Sequence, residues 1–486
     1  MSISSAFSNS LSGLNASSKR AEMISNNVSN ALTEGFGRRE VDQSSQVLNG
    51  FGAGVRIGDV TRIEHSVATG ARRASESEFA NNSVLLAAST RLSQSIGEVG
   101  DPQSLASRFS ELEGALLSAS NDPSNQVFLD SAIYRADRLV QNLNDASASV
   151  LRVQVDADHK IGIQIKSLNE TLVALDDLNL EIQRRQVSGG SVNALKDQQN
   201  ILIDNVNSIV PTKVVQRQDG QIALFTANGG VLLDDNPTQF DFSVNGTITH
   251  GMSIANGALS DLRISGTSIA VNSHPNFFDG GSLSGLFEVR DSLAPAFNAQ
   301  IDALAGDLIS RFQTPTVDAT LTTTDPGLFT DANAQYSALN ELGAAERISI
   351  NTQIDPTNGG QTWRLRDGLN ALTQGDKGNG ATLKNILDAF RASNAPPASI
   401  GLSANNSSFG FTQEISSMMA TDLANIEDST SFIQSNLAEF RETELGLTGV
   451  NTDNELQNLM EVEKAYAANA RVLSVLDELM SRLLEI

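Results

Sequence analysis

The chain has 486 residues, 33 Lys and Arg against 57 Asp and Glu, a formal net charge of −24, and no cysteine. That length allows about three domains, each able to bury a core. The acidity makes nucleic acid and anionic membranes poor partners, and the missing thiols exclude disulfides, thiolate metal sites and cysteine nucleophiles.

Apolar or small residues recur at helical spacing from the N-terminal side: Phe7, Leu11, Leu14, Ser18, Ala21, Ile24, Val28 and Leu32. This predicts an amphipathic helix with a Ser/Asn-rich outer face, ending near Thr33 because Gly35 and Gly37 follow. The first 18 residues carry no basic side chain and no apolar core, so no cleavable export signal is expected. No 18 apolar residues run together, so no membrane span is expected either. Residues 41–63 place Gly50, Gly52, Gly54 and Gly58 among Val and Ile, the mark of extended chain or a short hairpin.

Residues 75–210 read as helices. The longest spans Ser124 to Val187, with Ile133, Val140, Ile161, Leu168, Leu175 and Ile182 in one row. A shorter helix follows, expected to be capped by Ser191 and stopped before Pro211. The period then falls to two. Val214 to Gln218, Ile222 to Thr226 and Val231 to Leu233, joined at Asp219-Gly220 and Asn228-Gly229, form a β-meander. Asn245-Gly246 predicts a further hairpin, with strand-like alternation to Val271.

Helical spacing returns over Leu283–Phe312. Residues 313–410 are Gly-, Asn-, Thr- and Pro-rich, with short elements around Trp363 and Leu383–Phe390, and residues 411–445 are helical again. At the C-terminal side Leu459, Tyr466, Leu473 and Met480 lie seven apart, as do Val462, Asn469, Leu476 and Leu483. These two rows make an a/d repeat with one polar member, Asn469, of the kind that fixes register. No proline precedes Pro102 or follows Pro397, so both end helices can run unbroken and pair.

The fold class expected is mainly α with a β-rich insertion, in nested discontinuous domains. Residues 1–73 with 437–486 form a terminal coiled-coil assembly domain. Residues 74–211 with 280–436 form a helical-bundle body, partly irregular over 313–410, and residues 212–279 an outer β domain.

Catalytic patterns are absent from the sequence. His65, His159, His250 and His274 are far apart, and Asp156, Asp158 and His159 spread around a helix as a solvated face. Gly50, Gly52 and Gly54 are half of a dinucleotide fingerprint with no helix after them. Arg38-Arg39 and Arg72-Arg73 are too short for a nucleic-acid track. No enzyme activity, cofactor or metal is expected. The terminal helix, with Ser10, Ser17, Ser18 and Ser25 on or beside its stripe, has too little apolar area to stand alone in water and is expected to order on assembly.

The segment SSAFSNSLSGLNASSKRAEMISNNVSNALTEGFGRREV, Ser4 to Val41, resembles the N-terminal signature of bacterial flagellar rod, hook and hook-associated proteins. Its core pattern is met by Asn26, Asn27, Asn30, Thr33, Gly35, Phe36 and Arg38. GAGVRIGDVTRIEH is similar to the glycine-valine segment that follows it, and NLMEVEKAYAANARVLSVLDELMSRLLEI, from Asn458, to the matching C-terminal signature. GGSLSGLFEVRDSLAPAFNAQIDALAGDL from Gly280, DPGLF at 325–329 and RETELGLTGVNTDNE resemble the family's hook–filament junction members.

The resemblance implies a structural protein exported unfolded through the flagellar type III apparatus to the extracellular flagellum. It implies a helical homo-oligomer, lined by paired terminal helices, that adapts the hook to the filament. The implied partners are further copies of the chain, the hook protein, the second junction protein and a cytoplasmic export chaperone for the C-terminal helix. Phe7, Leu11, Leu14, Ile24 and Val28 are expected to pack against Leu459, Val462, Tyr466, Asn469, Leu473, Leu476, Met480 and Leu483, within and between subunits. The alternatives are a hook or rod subunit, a flagellum-associated wall-degrading enzyme, or an adhesin using the β insertion.

Overall fold

The structure is a computed structural model that describes residues 3–48, 51–97, 100–271, 276–395, 402 and 405–484. His274 and Gly50 lie outside the described residues.

Helix α1 (Ile3–Ser29) stops short of Thr33. The Asn30 side-chain Nδ2 donates to the Asn26 carbonyl at 2.9 Å, and the Thr33 and Phe36 backbone amides bond back to the Asn30 and Thr33 carbonyls. Local polar bonds there replace the helical ladder. An antiparallel hairpin follows, β1 (Arg39–Leu48) and β2 (Phe51–Arg62), with Arg39 opposite Arg62.

Three helices then build the body: α2 (Ser66–Ile96), α3 (Leu105–Asn121) and α4 (Gln126–Val187). Asn125 caps α4 through the Val127 amide at 3.1 Å. At 62 residues α4 is about 93 Å long. Its row Ile133, Val140, Ile161, Leu168, Leu175 and Ile182 is buried throughout, because helices pack along it on several sides. Helix α5 (Asn193–Ile209) begins after Val192 with no side-chain cap. Ser191 therefore does not cap it: the residue at the cap position is Val192, which has no oxygen to offer.

Strands β3 (Thr212–Gln216), β4 (Ile222–Thr226) and β5 (Val231–Leu233) form the meander, in antiparallel order. A second small sheet joins β6 (Phe240–Asp241), β7 (Leu262–Ile264) and β8 (Thr267–Ile269). Asn245-Gly246 is not its hairpin. The Asn245 amide N–H donates to Asp158 Oδ2 at 2.6 Å, and its side chain holds Ala258 and Ser260 across an irregular loop. The true turn is Ser265-Gly266, with φ of 50° and 80°, the left-handed pair that a tight hairpin requires.

Helix α6 (Gly281–Glu288) continues through one π turn, Val289–Leu293, into α7 (Ala294–Phe312). Pro295 has no N–H to give the preceding turn, which widens to accommodate it. The stretch that follows carries β9 (Phe329–Asp331), α8 (Ala344–Arg347), β10 (Ile348–Ile350), α9 (Arg364–Asp367) and α10 (Ala381–Arg391). Phe312 ties it to the body, 5.6 Å from Phe329 and 6.5 Å from Phe390 between ring centres. Helix α11 (Ser408–Thr448) returns along α2, and α12 (Thr452–Leu484) lies along α1.

The widened turn holds Arg290, which is fully buried. Its guanidinium bonds Asp158 Oδ1 at 2.7 Å, Asp291 Oδ1 at 2.7 Å and the Ser260 carbonyl at 3.0 Å, against the rings of Phe242 and Phe287. Asp158 is thus buried in an ion pair and does not belong to a solvated face. One arginine joins α4, the π turn and the loop between β6 and β7.

Candidate assembly interface

The residues of the N-terminal signature make an elbow between α1 and the hairpin. Asn27 is fully buried, and its amide pairs reciprocally with the backbone of Arg39: Nδ2 donates to the carbonyl at 2.9 Å and Oδ1 accepts from the N–H at 3.1 Å. The same Nδ2 reaches Glu455 Oε1 on α12 at 3.4 Å. Asn26, Asn30 and Thr33 lie nearer the surface and shape the turn, Thr33 Oγ1 donating to Asn30 Oδ1 at 3.3 Å. Gly35 has φ +75°, and a Cβ there would meet the Ile201 side chain at 2.6 Å. Phe36 lies under the Arg39 guanidinium, 4.7 Å from it. Arg38 donates its amide to the Thr448 carbonyl at 3.0 Å and accepts from Ile63 at 2.8 Å, which ties α1, the hairpin and the α11–α12 link together.

One carboxylate closes the elbow from the body side. Asp197 on α5 accepts from the Gly37 amide at 3.1 Å, Arg39 Nη2 at 2.9 Å and Arg62 Nε at 2.7 Å. A second cluster fastens α2 to α5 and α11: Arg72 bonds Glu444, Glu76 and Asp204, while Arg73 bonds Asp204 and Asn200. The two arginine pairs are therefore internal clamps. Asp197, Glu455 and Thr448 escape sequence reasoning because their partners are remote in the chain. The available signal is Asn193 and Asp197, polar residues four apart on the buried face of α5.

Where α1 crosses α12 the contact is close. Gly13 faces Asn469, and a Cβ at Gly13 would stand 2.7 Å from the amide nitrogen. Small residues make the buried face of α1: Ser10, Ala16 and Ser17 beside Ile24 and Asn27. From α12, Glu455, Val462 and Leu476 are buried. Leu14, Val28, Leu459, Asn469 and Leu473 are half-buried. The rest of the candidate residues stay largely open: Phe7 at 48% exposure, Leu11 at 45%, Tyr466 at 47%, Met480 at 48% and Leu483 at 57%. Beside them Val472, Val475 and Leu479 are also exposed, so α12 carries more apolar surface than α1 covers.

Other sequence candidates have structural partners. Asp156 pairs with Arg91, and Gly52 and Gly54 belong to β2. Among the described residues no helix is long and apolar enough to cross a membrane.

The described residues thus form paired end helices on a long helical body, with small sheets attached to it. The family model described as the flagellar hook-associated protein FlgK helical domain matches residues 89–342, the flagellar basal body rod FlgEFG protein C-terminal model matches 445–486, and the flagella basal body rod protein model matches 7–36. Flagellar hook-associated protein 1 of Bacillus subtilis (strain 168) is 23% identical over 97% of this chain and 96% of its own length. The protein of that name from Escherichia coli (strain K12) is 21% identical over the whole of both chains. A solved structure, the flagellar hook junction protein FlgK from Burkholderia pseudomallei, aligns with 54% of this chain and 46% of its own at TM-score 0.43 and 19% identity. The chain belongs to the FlgK family of flagellar hook-associated proteins. It is a structural component of the bacterial flagellum at the hook–filament junction, in a family that is not one of enzymes.

Proposed function

We propose that the two ends, residues 1–73 with 437–486, act as a coiled-coil assembly unit that packs copy against copy on the hook tip. Residues 74–211 with 280–436 serve as the rigid body, and residues 212–279 project as the outer β domain. The continuous helices α2 and α11 run across positions 73 and 437, so assembly unit and body share two helices and transmit load without a flexible linker.

One observation carries this reading: Phe7, Leu11, Tyr466, Met480 and Leu483, with Val472, Val475 and Leu479, are uncovered in a single chain. Apolar surface gains about 25 cal/mol per Å² when removed from water, so neighbouring copies are its natural cover. The hook protein would contact the lower side of the layer and the second junction protein the upper side. Before export through the type III apparatus, the same uncovered α12 would be held by a cytoplasmic chaperone.

Deleting the gene and imaging the cells tests the role. Hooks lacking filaments, with unpolymerised flagellin in the medium, are expected. Filaments that stay attached would overturn it, and antibody labelling along the whole hook would favour a hook subunit instead.

A further inference from the structure

Among the described residues five asparagines are followed by glycine: Asn228, Asn245, Asn256, Asn358 and Asn379. With no side chain on the following residue, its backbone nitrogen can reach the asparagine Cγ and close a five-membered ring. The attack needs a glycine N–H free to lose its proton and a side-chain nitrogen free to leave. A donor on the side-chain amide oxygen assists, because negative charge collects there.

Four of the five pairs are blocked. Gly229, Gly257 and Gly359 spend their amides on the carbonyls of Thr226 at 3.0 Å, Ile254 at 3.0 Å and Pro356 at 3.3 Å. The leaving nitrogens beside them are bound as well. Asn228 Nδ2 donates to Asn276 Oδ1 at 2.6 Å, Asn256 Nδ2 to the Gly251 carbonyl at 2.8 Å and Asn358 Nδ2 to Asp355 Oδ2 at 2.6 Å. Among the described residues the Gly246 amide has no partner, but Asn245 is tied at both ends of its side-chain amide. Its Nδ2 donates to the Ala258 carbonyl at 2.9 Å, and its Oδ1 accepts from the Ser260 N–H at 3.2 Å.

Asn379 meets every condition. It is exposed in the loop between α9 and α10, and its Oδ1 accepts from the Ala381 N–H at 3.1 Å. Among the described residues neither its Nδ2 nor the Gly380 N–H has a partner. Ala381 is the first residue of α10, where the helical amides carry partial positive charge, so its N–H polarises the Cγ carbonyl toward attack.

We propose that Asn379 is a spontaneous modification site, the described asparagine that the folded chain deamidates first. The Gly380 nitrogen gives its proton to water and bonds to Asn379 Cγ. The Cγ–Nδ2 bond breaks, and Nδ2 leaves as ammonia with a proton from water. A further water opens the imide at either carbonyl, giving aspartate or isoaspartate at 379 with no change of oxidation state. The isoaspartate product places an extra carbon in the backbone beside a close contact, since a Cβ at Gly380 would stand 2.7 Å from Pro123 Cγ. Helix α10 is fastened to α3 near its other end, by Phe390 on Phe109 at 6.0 Å and Arg391 on Glu113 at 2.6 Å. The disturbance therefore falls on its first turn.

The test is to incubate the full-length chain at mildly alkaline pH and follow peptides covering the five pairs by mass spectrometry. Each hydrogen bond broken before attack costs a factor of about five, so Asn379 should convert at least about fivefold faster than any of the other four. In denaturant the protection conferred by the fold is removed, and the five rates should converge. Another of the five converting within that factor of Asn379 in the folded chain overturns the proposal, as does an intact Asn379 where the denatured chain converts. A lead of Asn379 that persists undiminished in denaturant also overturns it, because the flanking sequence rather than the fold then selects the site.

Discussion

Asn27 and Asp197 show how single polar side chains hold the elbow. Asn27→Leu leaves the Arg39 N–H and carbonyl unpaired in a buried site, at a cost of about 1–3 kcal/mol. The expected outcome is faster amide exchange across the start of β1, at similar protection in α4. Asp197→Ala strands Arg39 and Arg62 without their shared carboxylate and should cost about 2–4 kcal/mol, read as a lower urea midpoint. Tyr336 gives a pH signature. Burial first, then Glu341, Asp302 and Asp331, push its phenol up to about 12 from 10.0. The folded state keeps this proton where the unfolded state releases it, so the contribution is present below pH 10 and lost between 10 and 12. Tyr336→Phe should flatten the alkaline fall in melting temperature. At this scale the sequence shows which residues form the signature but not their partners. Asn27 is conspicuous within its pattern, whereas Asp197 and Glu455 acquire their roles only when distant helices meet.

Among the elements, the longest are the most readable. The row from Ile133 to Ile182 marks α4 because one face of a helix buried along its length must repeat. The glycine-rich stretch after the elbow, expected as extended chain or a short hairpin, forms a hairpin of two long strands. The misreadings have local causes: Asn245 spends its hydrogen bonds on Asp158 and Ala258, while Ser265-Gly266 makes the turn. The π turn is hidden because helical periodicity survives one extra residue. Its arginine is the lock between body and outer loop. Arg290→Ala should therefore destabilise by about 3–5 kcal/mol, since Asp158 is left charged and buried without a counterion. Urea unfolding measures that loss. At the α1–α12 crossing, Gly13→Val would drive side-chain atoms into Asn469 and should separate the helices. Limited proteolysis cutting first within residues 3–29 is the expected result, with the body intact.

For the whole molecule, order should be graded from the body to the ends. The body buries one large continuous apolar core, whereas the end helices meet mainly through small or half-buried side chains and leave apolar faces open. Amide exchange should be fast over residues 1–40 and 455–486 in the dilute monomer and slow in intact flagella. Strong protection of both ends in the monomer contradicts ordering on assembly. The family resemblance covers the ends and much of the body, so the role is legible at this scale.

The bond from Asn27 to Glu455 spans 428 residues of chain. Closing so long a loop adds only a logarithmic entropy term, so it weighs little on final stability, yet contacts this remote form late. A chain delivered progressively can finish its body while α1 still lacks a mate, and only the arrival of α12 completes the α1–α12 pair. If the paired ends carry assembly as proposed, the topology works as a completeness check: a copy cut short before residue 455 folds most of its mass and is still refused by the growing structure.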